Sequence, residues 1–280
     1  MEAATLGRTP PRSGPGQVGL VAALLVVAAG AWAVTGDRMG GMDAGPGTDL
    51  GGLGWFAVVW VTMMAAMMLP SIAPMVLAHP RAQIGATPAF VAGYLLTWAA
   101  VGTLGWALVD GVRSLDLGVL AWDAAGPYVA GGAILAAAIY QLSPLKKRSL
   151  RRCRNPRGFV SEHWRPGRVG ALRMGIEHGR VCVGSSWALM ATLFALGVMS
   201  VGWMVLVAAL IAAEKLLPWK EVATRGIVAV LALLAVAVAF APDDVPGLTI
   251  PGSPAAMDAM ERMGIESMEP ARPMRMEDGN

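Results

Sequence analysis

Residues 182–217, CVGSSWALMATLFALGVMSVGWMVLVAALIAAEKLL, carry no charge until Glu214 and Lys215. At ~1.5 Å rise per residue, a helix of this length is about twice as long as a bilayer's ~30 Å hydrocarbon core is thick. The run therefore has to fold back on itself, and the small residues around Gly197–Gly202 are the place to do so. A tight helical hairpin in lipid is the reading that satisfies backbone polar groups internally, because hydrocarbon offers them no partner. This decides the fold class: all-α, a polytopic transmembrane helix bundle.

The rest of the chain agrees. Of 280 residues, 55% are hydrophobic and 15% charged, and the mean hydropathy is +0.56. Soluble domains carry roughly 25% charged residues, so a soluble enzyme is excluded. Further apolar stretches lie at 17–34, 53–78, 88–109, 124–143 and 226–241. With the hairpin they make about seven spans. A basic start before an apolar core is also the pattern of a signal peptide, but 17–34 is long for one and is read as a retained helix.

The intervening segments sort by charge. Residues 144–181 hold eleven Lys and Arg, from Lys146 to Arg180, against Glu162 and Glu177. Residues 1–16, 79–87 (with His79 and Arg81) and 218–225 are also cationic, whereas 35–52, 110–123 and 242–280 lean acidic. Short loops rich in Lys and Arg stay in the cytoplasm. The expected arrangement is N-terminus in, C-terminus out, in the inner (cell) membrane. The domain organisation that follows is a disordered basic arm 1–16, a bundle 17–241 containing a basic cytoplasmic loop 144–181, and a disordered Met-rich acidic tail 242–280.

Several features carry chemistry. Within MMAAMMLPSIAPM, Met63 and Met67 lie one turn apart, as do Met64 and Met68, and Met75 projects onto the Met64/Met68 face. Pro70 and Pro74 kink or unwind a helix. Thioether sulfur is a soft ligand suited to Cu(I), although methionine also fills irregular gaps beside kinks. Cys182 and Ser186 share a helix face in the hairpin, and Glu214 and Lys215 are ionisable groups at its far end. Intramembrane charges are functional candidates, or else snorkel to the interface.

Cys153 is the second cysteine of the chain. Two cysteines make neither a disulfide framework nor a four-thiolate site within one chain, and His163 and His178 fit no zinc spacing. In the tail, Met257, Met260, Met263, Met268, Met274 and Met276 stand among Asp and Glu, and the loop residues Met39, Met42 and Asp43 belong to the same expected face. The sequence shows no Walker loop, HExxH, GxSxG or CxxC, so neither an ATP-driven pump nor a hydrolase is expected.

MMAAMMLPSIAPM, FVAGYLLTW (90–98), IYQLSPLKKRSLRRCRNP (139–156), GIEHGRVCVGSSWALM (175–190), FALGVMSVGWM (194–204) and EKLLP (214–218) together resemble a bacterial family. It is the domain of unknown function 2182 family, described as predicted metal-binding integral membrane proteins. The resemblance covers roughly residues 53–220. It implies a thiol-bearing metal site at the Cys182 region. This chain is depleted in cysteine relative to that pattern: Ser185 and Ser186 stand where the family tends to show a Cys pair, and Ser149 where it shows another Cys, while Cys153-Arg154 is kept.

The expectation is a non-enzymatic membrane protein that binds or passes a soft metal ion, above all Cu(I), with Met63, Met64, Met67, Met68, Met75 and Cys182 as metal ligands. Glu214, Lys215 and Cys153 are accessory candidates. Expected partners are the lipid bilayer, an anionic lipid or cytoplasmic protein at 144–181, and a periplasmic metal donor or acceptor, with no nucleic acid. The alternative is a structural or assembly subunit without its own ligand, packed through small residues such as Ala92-Gly93 and Gly131-Gly132 and docking through the basic loop 144–181.

Overall fold

The computed structural model describes residues 15–43, 45–46, 50–78, 85–115, 122–163 and 165–262. These residues are all-α. The ten helices are α1 (Pro15–Met39), α2 (Leu53–Ala78), α3 (Thr87–Ser114), α4 (Gly126–Gln141), α5 (Pro144–Cys153), α6 (Pro156–His163), α7 (Gly167–Leu196), α8 (Val201–Leu216), α9 (Lys220–Phe240) and α10 (Pro254–Arg262).

Five of them, α1, α2, α3, α7 and α9, are long and apolar enough to cross a membrane. α4 joined to α5 is a sixth if the bent pair is counted as one span. The seven spans expected from the sequence correspond to α1–α4 and α7–α9, but α4 and α8 have only 16 residues each. At ~1.5 Å per residue, such helices fall short of a ~30 Å core. The chain is a multi-pass membrane protein by the length and composition of its helices.

Small residues set the closest approaches between helices. α3 lies along α7, α4 along α9 and α1 along α2. At the α3–α7 crossing Gly93 abuts the Leu172 carbonyl and Gly175 abuts the Phe90 carbonyl, so neither position has room for a Cβ. Gly131 does the same for α4 against Ala235 and Ala239 of α9. Trp60 Nε1 donates to the Trp98 carbonyl at 2.8 Å and Tyr140 Oη to the Gly184 carbonyl at 2.7 Å. These bonds tie α2 to α3 and α4 to α7 where lipid could not satisfy the donors.

The hairpin breaks where expected. α7 ends at Leu196, Gly197 takes φ +105°, and α8 starts at Val201. Two other regions differ from the sequence reading. The basic segment 144–181 is helical: α5, α6 and the first half of α7, which runs unbroken from Gly167 into the apolar stretch. Residues 168–181 are thus the base of a long helix and not part of a loop. Residues 242–262 are also ordered, as a 3-10 turn (Pro242–Asp244) and α10; residues 263–280 and 1–14 lie outside the described residues.

Residues 242–262 are held by the burial of Val245 and Leu248 in the main core and by a polar socket at one end of the bundle. Asp43 Oδ1 accepts from Gly45 N–H at 3.0 Å, and Thr249 Oγ1 donates to Asp43 Oδ2 at 3.2 Å. Ser200, on the α7–α8 turn, also lies beside Asp43. Burial raises the Asp43 carboxyl above the ordinary carboxylate range, against the lowering effect of these hydrogen bonds.

Candidate metal centre

The site forms at the opposite end of the bundle from the Asp43 socket. Its first element is the bend between α4 and α5, 66°. Pro144 cannot continue α4, because its ring removes the N–H and clashes with the preceding turn. Ser143 becomes the N-cap of α5 instead, extended at ψ 147°, with its Oγ accepting from Lys146 N–H at 3.2 Å. α5 is strongly amphipathic in a mostly basic sequence. Lys146, Leu150 and Cys153, at helical spacings of four and three, share one face. Lys146 and Leu150 are buried there, and Cys153 is half-buried.

That face meets α7 and α8. Cys182 of α7 is fully buried, and the Cys153 thiol lies beside it, near enough for each sulfur to bear on the other's charge. Two cysteines 29 positions apart in the chain are therefore neighbours. Three more groups converge on Cys182. Lys215 Nζ donates to Cys182 Sγ at 3.0 Å. Tyr94 Oη is 3.1 Å from the same sulfur. His178, one turn before Cys182, stacks on Tyr94 with ring centroids 5.9 Å apart. Lys215 Nζ also donates to Ser71 Oγ at 3.3 Å, which links the thiols to α2.

Glu214 turns the other way. Its Oε2 accepts from Lys146 Nζ at 2.7 Å, and the two side chains are 2% and 1% exposed. The sequence reading allowed these charges to snorkel; the structure points them inward. The pair keeps two opposite charges together where either alone would be costly. It also leaves the Lys215 ammonium to the sulfurs.

The methionines are all interior: Met63, Met64, Met67, Met68 and Met75 are between 0% and 6% exposed. Ser71 lies one turn from Met67, Met68 and Met75 along α2, so the α2 face that touches Lys215 continues into the thioether stripe. Met190 of α7 and Met204 of α8, which stand in no sequence cluster of methionines, are also buried. Met190 is one turn before Phe194, whose ring packs on Trp60 at 5.7 Å; Met64 is one turn after Trp60. The helices run antiparallel, so both methionines lie on the site's side of that aromatic contact.

Serines occupy the neighbouring positions. Ser185 Oγ donates to the Cys182 carbonyl at 2.8 Å and is 3.3 Å from Ser186 Oγ. Ser185 also lies beside the Cys153 thiol, and Ser149 abuts Gly184. The three positions at which the resembled family shows cysteine thus lie on the two helices that carry Cys153 and Cys182, with Ser185 next to the pair. Tyr94 and Ser71 went unrecognised in the sequence. Tyr94 sits within FVAGYLLTW, and a phenol in the middle of an apolar span was the available signal.

Among the described residues, no three of His, Cys, Asp and Glu cluster as ligands for a metal ion. The arrangement instead offers two thiols, a cation and thioethers. Such a set suits a soft, monovalent ion of low coordination number and not a hard divalent one.

The profile of the PpoB2 family, described as copper chaperones, matches residues 57–238, from α2 to near the end of α9. No curated protein and no solved structure matches the chain. A match over more than half of the chain identifies the family: this protein belongs to the PpoB2 copper chaperone family.

Proposed function

We propose that this copper chaperone family member carries Cu(I) as cargo on the Cys153–Cys182 pair, inside a seven-span inner-membrane bundle with its N-terminus in the cytoplasm. The observation that carries this reading is the meeting of the two thiols beside Lys215, whose Nζ is 3.0 Å from Cys182 Sγ. Cu(I) prefers soft sulfur, and thiolate, not thiol, is the ligand. Two thiolates and one Cu(I) carry a net charge of −1. The Lys215 ammonium brings the loaded site to neutrality, which matters where water is scarce.

Tyr94 orients the Cys182 sulfur from the α3 side. Met63, Met64, Met67, Met68 and Met75 offer weaker thioether positions leading from Ser71 along α2, joined by Met190 and Met204. Thioethers hold Cu(I) without a protonation step, so they suit passage more than storage. The sequence contains no energy-coupling motif, so directionality comes from the affinities of donor and acceptor. The positive-inside rule places the thiol end of the bundle toward the cytoplasm. The exported end, with Met42, Met257 and Met260, faces a metal donor or acceptor outside.

The test is Cu(I) content of detergent-purified protein after equilibration with a competing chelator. We expect one tightly held copper in wild type, loss of it in Cys182→Ser and Cys153→Ser, and retention with slower transfer when Met63, Met64, Met67 and Met68 are changed to Leu. Copper retained by both Cys variants but lost from the Met variant would move the site to α2. No copper on any form would leave a packing or assembly subunit, built on the Gly93, Gly175 and Gly131 crossings, as the better account.

A further inference from the structure

Beside the two helices that carry the thiols lies an open basin of about 710 Å³, walled by α5, by His163 at the end of α6 and by the first half of α7. Arg148, Arg151, Arg152 and Arg180 line it. The acid in its wall, Glu177, is engaged by Arg165 at 3.4 Å. The four guanidiniums are solvent-exposed, so they remain available to a ligand. Two features tie this basin to the metal pair. Ser149 in its floor is one turn before Cys153 on α5, and Val181, also in the wall, adjoins Cys182.

Cu(I) in a reducing compartment travels as a thiolate complex and not as a free ion, and a donor complex must come within bonding distance of Cys182. A bowl of a few hundred cubic ångströms suits a ligand of tripeptide size. Guanidinium forks recognise carboxylates bidentately. On the reading that Cys153 and Cys182 hold copper, we infer that this basin docks an anionic, carboxylate-bearing small thiol that presents Cu(I) to the pair. A phosphodiester lipid headgroup shares the anion chemistry. The basin's contact with the thiol helices, and not merely its charge, favours the carboxylate thiol.

The transfer is a ligand exchange without redox change. Cys182 sulfur bonds copper as one carrier sulfur departs, and Cys153 then replaces the second. Each protein thiol proton leaves on a carrier sulfur, and copper remains Cu(I) throughout.

The test compares uptake rates from Cu(I) complexes of glutathione (anionic), 2-mercaptoethanol (neutral) and cysteamine (cationic). The full-length protein would be used in detergent and in nanodiscs with or without phosphatidylglycerol. Arg148, Arg151 and Arg180 changed together to Gln form the variant, with Tm and copper stoichiometry checked against wild type. We expect wild type to take copper from glutathione fastest and from cysteamine slowest, with the advantage over the neutral carrier falling on the order of tenfold in the variant. Copper-free wild type should also retain radiolabelled glutathione in equilibrium dialysis where the variant does not. Equal rates from all three carriers, with copper still bound, would overturn this inference and leave the copper site standing. Loss of the glutathione advantage specifically on adding phosphatidylglycerol would assign the basin to a lipid headgroup instead. No uptake from any carrier would overturn the copper reading, and this inference with it.

Discussion

Lys215 Nζ donates to Cys182 Sγ at 3.0 Å while its neighbour in sequence, Glu214, binds Lys146 on the other side of α8's inner edge. Adjacent residues on a helix point ~100° apart, and here that divergence separates a neutral ion pair from a cation reserved for sulfur. Replacing Lys215 with Leu keeps an apolar side chain in its place, adds no sulfur and removes the ammonium. A hydrogen bond to a charged group contributes about 1.5–3 kcal/mol, so copper affinity should drop by roughly ten- to a hundredfold. Chelator competition measures this, and Lys215→Arg should recover part of the loss. An unchanged affinity would mean that Lys215 only fills space.

The Lys146–Glu214 pair makes a stability prediction independent of copper. Removing one member of a buried pair strands the other charge and costs about 3–5 kcal/mol, whereas replacing both with apolar residues is often neutral. Glu214→Leu and Lys146→Met should each lower Tm strongly. The double variant should melt close to wild type, because Glu214 Oε1 is itself buried without a hydrogen-bond partner among the described residues. A double variant as unstable as the singles would show that the pair holds α5 against α8 in a way apolar packing cannot.

Asp43 predicts a pH dependence at the other end. Its folded carboxyl is raised above the unfolded value, mainly by burial, so the folded state binds the proton more tightly than the unfolded one. Linkage then gives a contribution that is full below the unfolded value and is lost as pH rises from there through the folded value. The packing of 242–262 should therefore loosen as pH rises above about 4, read as falling amide protection factors in α10 once the intrinsic base-catalysed exchange rate is divided out. Asp43→Asn should flatten that profile. A profile that tightens with pH, or one unaltered in Asp43→Asn, would refute this.

Much of the fold was legible because hydropathy is a long-range signal. The apolar stretches, the turn at Gly197 and the inward role of Gly93 and Gly131 follow from run length and residue size alone. What could not be read was the fate of 144–181, whose charge suggested a loop. Helical spacing within PLKKRSLRRC put Lys146, Leu150 and Cys153 on one face, a pattern visible in principle but masked by the density of arginine. Cys182 and Lys215 stand out separately in the sequence, one for its sulfur and one for its charge in a span. Their contact, and that of Cys153, depends on the bend at Ser143-Pro144 and on the register of α5 against α7 and α8, which no local pattern encodes. The order of 242–262 likewise rests on long-range contacts, the Thr249–Asp43 bond and the burial of Val245 and Leu248 in the main core.

Ser185 offers a gain-of-function test of where the copper sits. Its hydroxyl bonds the Cys182 carbonyl and lies beside the Cys153 thiol, in a fully buried position. Ser185→Cys exchanges oxygen for a slightly larger sulfur at nearly constant shape, so the fold should tolerate it. A third soft donor then stands beside the pair, and copper should become harder to extract, by on the order of tenfold against a thiol-matched chelator. X-ray absorption should report three sulfur neighbours around copper instead of two. Thr192 provides the control: it lies two turns along the same helix, with its hydroxyl bonded to the Leu189 carbonyl at 2.7 Å. Thr192→Cys adds a sulfur to that helix away from the pair and should leave extraction unchanged. If both substitutions strengthen binding equally, the copper does not sit between Cys153 and Cys182.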